Sequence, residues 1–212
     1  MLWSTVATGF KLGLAVLALE QLLLLGTLIS WLVFLVYAAL KQTFSLCASD
    51  RWTVVMLGFI NPFAYYLILF AAYERLPAHI AQPLNYTWAI TLALLAVPLL
   101  KQSLTRRMLT GIFVSYVGVS VLLLTATPQT AGGWNITGIV LALLSTLLWA
   151  VYWLLNTRCS SPPAALMFWS FTAGLLPVAL VCYFGAGIPP INTTTLTYGA
   201  WVGCIEMGMS IA

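Results

Sequence analysis

Glu206 is the only acidic residue in the second half of the chain, and it stands about ten residues into an apolar segment. At about 1.5 Å of rise per residue, its carboxyl falls near the middle of a bilayer. An ionised carboxylate is costly there unless it is paired, and such residues mark substrate and ion pathways. Three roles fit it. It could carry a coupling proton, bind a cationic group on a substrate, or sit as a neutral acid hydrogen-bonded to a neighbouring helix. Counting back 145 positions (206 − 61 = 145) reaches Asn61, because Leu57-Gly58-Phe59-Ile60-Asn61 lines up with Val202-Gly203-Cys204-Ile205-Glu206. A polar residue at the same place in two halves points to a site between repeats. Asn61 cannot titrate, so the two halves differ chemically around that site.

More polar residues lie nearby, in the stretch from Gly58 to Trp88. Asn61 and Tyr65 are four apart and share a helical face. Gln82, Asn85 and Tyr86 are spaced i, i+3, i+4 and share another, with Trp88 on a neighbouring face. A tight turn at Glu74-Arg75-Leu76-Pro77 makes the two helices antiparallel neighbours. Two polar stripes can line a substrate-filled cavity, and we expect Asn61, Tyr65, Gln82 and Tyr86 to face one interior space. Plain interhelical hydrogen bonding is the alternative, and it contributes only about 0.6 kcal/mol on average. Trp3 and Trp149 occupy matching places in the two halves and could stack on a planar or apolar substrate; packing against lipid serves them equally well.

Other features read as structural. Pro62, Pro83 and Pro98 fall within spans, and each removes a backbone donor and can kink its helix. Gly111, Ser115 and Gly118 form a small-residue groove suited to close helix approach. Trp52, Trp134, Tyr73 and Tyr198 sit near expected interfaces and fit an aromatic belt. His79, the only histidine, marks the start of a helix at the interface. The four cysteines lack metal-ligand spacing. With one Asp and one His, no catalytic constellation can be assembled, and no cofactor or metal motif is present; the chain does not read as an enzyme.

The elements that hold these residues follow from composition. Of 212 residues, 62% are hydrophobic and 6% charged, against about 25% charged in a typical soluble domain. The fold class is therefore an all-α polytopic membrane protein, with the lipid bilayer as its surroundings. A spanning helix needs roughly 20 apolar residues. That ruler gives eight segments: 1–15, 18–40, 52–73, 79–100, 107–125, 136–156, 163–185, and a last one from about Leu196 to Ala212, the first and last being short. The net charge of +4 does not point to nucleic acid, because the positive residues lie in short loops. Lys41, Arg51, Lys101, Arg106, Arg107 and Arg158 fall in alternate loops, six of the eight basic residues on one side. The positive-inside rule puts that side in the cytoplasm, as for a multi-pass protein of the inner cell membrane. The same rule puts position 104 inside and position 130 outside.

A similar offset, 146 (149 − 3 = 146), aligns Leu2-Trp3 with Leu148-Trp149. We expect a first repeat at 1–126, a linker at 127–135 and a second repeat at 136–212. Five helices per repeat is an odd number, so the second copy would enter the membrane inverted. By this arithmetic the first copy starts inside its first helix and the second stops in its third. A complete version would hold ten helices in roughly 290 residues, twice the repeat.

These residues resemble the drug/metabolite transporter superfamily, specifically its EamA-type members, over essentially the whole chain. Leu2-Trp3-Ser4 is similar to the first-helix LLW-G/S pattern of that family, and Leu147-Leu148-Trp149-Ala150 to its second copy. Phe70 to Ala78 (FAAYERLPA) resembles the hairpin between helices three and four, and Gly111 to Leu124 the glycine-spaced fifth helix. The family often has an acidic residue after helix four, in a pattern like LGERLT. This chain has Lys101-Gln102-Ser103-Leu104-Thr105, so no role is carried over there. The resemblance implies ten helices in two inverted five-helix repeats with both termini cytoplasmic. It implies a central cavity lined by helices one, three and four of each repeat, and export of small metabolites or drugs. A small-molecule substrate is then the main partner. Proton coupling and a homodimer are further candidates.

Overall fold

A computed structural model of the chain describes residues 5–101, 103, 105–125 and 135–208. Trp3, Trp134 and positions 104 and 130 lie outside them. The described residues form helices throughout, and five stretches are long and apolar enough to cross a membrane: Leu19–Lys41, Ala48–Arg75, Ala78–Leu100, Ile136–Asn156 and Pro163–Phe184. This is a polytopic membrane protein.

Helix α1 (Val6–Leu14) leads into α2 (Leu19–Lys41). At the start of α2, Gln21 accepts from the Ala18 N–H at 3.3 Å and donates to the Ala186 carbonyl at 3.1 Å. Gln42 ends α2 in the left-handed region, just after Lys41, whose charge suits a helix C-terminus. The second span is not one straight helix. Helix α3 (Arg51–Gly58) passes through a π-helical turn at Phe59–Ala64 into α4 (Tyr65–Arg75). The cause is Pro62. It supplies no N–H, and its ring drives the preceding residue out of the helical region. Asn61 accordingly has extended angles, φ −140° and ψ 117°.

The third span is also broken. Helix α5 (Ala78–Tyr86) gives way to α6 (Trp88–Leu100) at Thr87. Pro83 has already removed one donor from that stretch. Thr87 then turns its hydroxyl back onto the Leu84 carbonyl at 2.7 Å, and its N–H takes the same carbonyl at 3.2 Å. Helix α7 (Arg106–Thr125) follows, then α8 (Ile136–Asn156), α9 (Pro163–Phe184) and α10 (Thr193–Ala200), which runs into a π-helix at Trp201–Gly208. The side chain of Asn135 caps α8 by accepting from the Gly138 N–H at 2.9 Å. Asn192 and Thr195 cap α10 reciprocally, at 2.9 and 3.1 Å. That box starts the last segment at Thr193, three residues before the expected Leu196.

The packing exchanges partners between the two parts of the chain. Helices α2 and α9 pack on each other at the centre. Helix α3 and its π turn lie on α9, while α10 and the terminal π-helix lie on α2. Helix α8 packs on α4, α5 and α6, and α1 packs on α10, the terminal π-helix, α4 and α5. Two glycines bring backbones together. A Cβ on Gly58 would stand 2.3 Å from the Ser170 carbonyl oxygen, and one on Gly203 would stand 2.7 Å from that of Gly26. The latter contact is stitched by Ser30, which donates to the Gly203 carbonyl at 2.7 Å.

Two expectations are corrected here. Among the described residues, no helix packs into the groove at Gly111, Ser115 and Gly118: a Cβ on either glycine would meet nothing within 4 Å, and Ser115 is exposed. Small residues permit close approach but do not choose a neighbour. Tyr73 is not at a lipid interface. It is buried, 2% exposed, because α4 packs on α8 and α1 at its level.

One clamp closes an end of the bundle. Asp50 Oδ2 accepts from the Ser160 N–H at 2.9 Å, the Ser161 N–H at 2.8 Å and the Ser161 hydroxyl at 2.6 Å. Ser161 Oγ in turn accepts from the Cys47 N–H at 2.9 Å. The short loop before α3 is thereby tied to the loop before α9. Beside it, burial pushes the Cys159 thiol above its ordinary value, and the Asp50 carboxylate adds to the rise. Asp50→Ala strands two backbone donors and a hydroxyl at once. We expect its midpoint of thermal unfolding in detergent to fall by several degrees, and that of Ser161→Ala to fall less. Unchanged melting in Asp50→Ala would show that the clamp contributes nothing to stability.

Candidate functional site

The partner exchange leaves a cavity of about 140 Å³ where α1, α4, α5, α6, α8 and the terminal π-helix meet. Its floor is aromatic. The ring of Trp149 lies 4.6 Å from Tyr65, 5.5 Å from Tyr152, 6.0 Å from Trp153 and 6.4 Å from Trp88, centroid to centroid. Offset and edge-on pairs at these separations hold each ring in one orientation. Phe10 from α1 closes a side, packed edge-on against Tyr73 at 5.2 Å.

Polar groups sit on this frame in two short chains. Tyr65 donates to Asn85 Oδ1 at 3.4 Å, and Asn85 Nδ2 donates to Ser145 Oγ at 3.0 Å, which ties α4 and α5 to α8. Tyr73 donates to Gln82 Oε1 at 2.9 Å, and Gln82 Nε2 donates to the Tyr86 hydroxyl at 2.7 Å. The Tyr86 oxygen is the acceptor in that pair, so its own O–H is left to donate to a bound molecule. Gln82 is held at both ends of its amide, which fixes its orientation.

Glu206 faces the same space from the terminal π-helix. Val202, Gly203 and Met207 are buried, with Gly203 pressed on α2. Anchoring that face of the helix turns Glu206 toward the cavity. No Lys, Arg or His is among the lining residues, so the carboxyl meets phenols and indoles rather than a counter-charge.

Six of the eight candidate residues therefore meet around one cavity: Tyr65, Gln82, Asn85, Tyr86, Trp149 and Glu206. Asn61 does not join them. It is fully buried beside Tyr152 and is not among the lining residues. The extended backbone at Asn61 breaks the helical register with Tyr65, so the four-residue spacing no longer places the two on one face. Trp3 lies outside the described residues. Five lining residues were not in the candidate set: Val6, Phe10, Tyr73, Trp88 and Trp153. Tyr73 was findable, since it follows Tyr65 by eight residues and so stays near the same stripe. Trp88 follows the break at Thr87, which a reading of one continuous helix does not include. Val6, Phe10 and Trp153 carry no polar signal that separates them from other apolar positions.

A solved structure described as "Crystal structure of protein" superposes with a TM-score of 0.69 at 20% sequence identity, over 99% of this chain and 72% of that one. At that identity the likeness shows the fold alone. No curated protein matches the chain. The model of the EamA-like transporter family matches residues 1–124. Those residues are more than half of the sequence, they hold α1 to α6 with most of the cavity wall, and the chain belongs to the EamA-like transporter family.

Proposed function

We propose that the chain works as a secondary transporter that exports small organic solutes across the cytoplasmic membrane. Its family makes it a membrane transporter of small solutes rather than an enzyme. The finer reading is alternating access, with two inverted repeats at 1–126 and 136–212 rocking about a site between them. The observation that supports it most is the origin of the cavity wall. Tyr65, Gln82 and Asn85 come from one part, and Trp149 and Glu206 from the other, so any relative movement of the two reshapes the site. The exchange of partners, α3 on α9 and α10 on α2, fits two like units related by a two-fold axis. Amino acids, metabolites and drugs of modest size are the candidate solutes.

The test is solute counterflow. Proteoliposomes carrying the chain and an internal pool of unlabelled amino acids or amines should accumulate the matching labelled solute, and the rate should saturate. A helix-packing scaffold without transport, the competing reading, gives the same leak as empty liposomes for every solute. That result, with a cooperative melt showing the protein is folded, would overturn the transport reading.

A further inference from the structure

We propose that the cavity selects a small organic ammonium ion, with Glu206 as its counter-charge and the surrounding rings as its walls. This rests on reading the cavity as the transport site. Three observations converge. Among the described residues the cavity is lined by one carboxylate and no basic side chain, so an anion gains no opposite charge there and would face a like charge whenever Glu206 is ionised. Six of the ten other lining residues carry an indole or a phenol, Trp88, Trp149, Trp153, Tyr65, Tyr73 and Tyr86, the remaining four being Val6, Phe10, Gln82 and Asn85. Ring faces attract ammonium groups, and more strongly when the site excludes water. The Tyr73 and Tyr86 oxygens are bridged through Gln82, which keeps those two rings in place.

The alternative ligands fit less well. A zwitterion needs a second pole, and the lining offers its carboxylate no Lys, Arg or His. A neutral apolar molecule would fit the rings and leave the carboxylate without a counter-charge. An ammonium ion satisfies both the charge and the rings. At about 140 Å³ the space suits a compact head group with a short tail, not a large polycyclic cation.

The experiment separates charge from shape. Choline and its neutral carbon isostere 3,3-dimethyl-1-butanol are titrated against the full chain in lipid nanodiscs, followed by intrinsic tryptophan fluorescence. The expected result is saturable choline binding, with the isostere at least tenfold weaker. Glu206→Gln should bring the two ligands within twofold of each other. Glu74→Gln, which removes an exposed carboxylate outside the cavity, should leave the discrimination intact. Glu206→Asp keeps the charge and should keep the discrimination, and it serves as the second variant if Glu206→Gln melts early. Equal binding of choline and the isostere by the native chain overturns the proposal. So does discrimination that survives in folded Glu206→Gln. A Glu206→Gln change that alters only the pH dependence of solute counterflow, with no choline preference in the native chain, assigns the carboxyl to protons and also overturns it. The reading of the chain as a transporter fails separately: choline bound in nanodiscs but never moved in proteoliposomes leaves the cation site standing without transport.

Discussion

Gly58→Val is expected to prevent the chain from folding. Even the first carbon of a side chain would stand 2.3 Å from the Ser170 carbonyl oxygen, 2.9 Å from the Gly174 nitrogen and 3.0 Å from the Ala173 Cβ. Two of those three atoms are backbone of α9, and they cannot rotate aside as a flexible side chain can. Overpacking a core costs about 1–3 kcal/mol and more where the backbone must shift. Here α3 and α9 would have to separate, so we expect at least about 3 kcal/mol and little or no monodisperse protein. Gly174→Ala should behave similarly, since its Cβ would meet Pro62 Cδ at 2.6 Å and the Gly58 carbonyl oxygen at 2.7 Å. Gly111→Ala is the control. Nothing lies within 4 Å of its Cβ, and alanine in a helix interior is favoured over glycine by about 0.5–1 kcal/mol. Size-exclusion yield and thermal unfolding of the three variants in one detergent measure the ranking. A native-like melt for Gly58→Val would mean that α3 and α9 do not cross at this point.

Trp149→Ala should remove both the order of the cavity and its ligand. Trp149 is 6% exposed and touches Tyr65, Trp88, Tyr152 and Trp153. Truncating a buried large aromatic costs about 3–5 kcal/mol. The hole would also free Tyr65, whose hydroxyl orients Asn85 toward Ser145. Solute counterflow is expected to fall to background, with a clear drop in the unfolding midpoint. Trp149→Phe keeps a ring and should recover most of the midpoint. If Trp149→Ala transports and melts as the native chain does, the aromatic floor is packing and the site lies elsewhere.

How far the sequence carries such arguments varies residue by residue. Its apolar content alone requires a bilayer, because a chain with 6% charged residues cannot cover a water-facing surface. The spans follow from the same content. Leu19–Lys41, Ile136–Asn156 and Pro163–Phe184 begin and end within about a residue of the expected limits, since a chain cannot place loops in hydrocarbon. A kink at Pro62 was open to local reading, since a proline removes a donor from its own helix, but Pro98 lies inside the continuous α6, so which proline breaks its helix was not. Periodicity could say that Gln82, Asn85 and Tyr86 share a face.

What that face looks at was decided elsewhere. Helical spacing gives directions relative to one axis, and the neighbour is supplied by a different part of the chain. Tyr73 turned inward because α8 and α1 cover it. Asn61 left the cavity because extended angles at one residue reset the register beyond it. The groove at Gly111 and Gly118 stayed open because no helix among the described residues came to it. The Asp50 clamp joins residues 111 apart, with no signal in either loop that names the other. Local rules act through bonds along the chain, and they set each helix and its kinks. Only the packing of the helices decides which charge, ring or empty space a side chain meets, because that neighbour is chosen by the fit of whole surfaces.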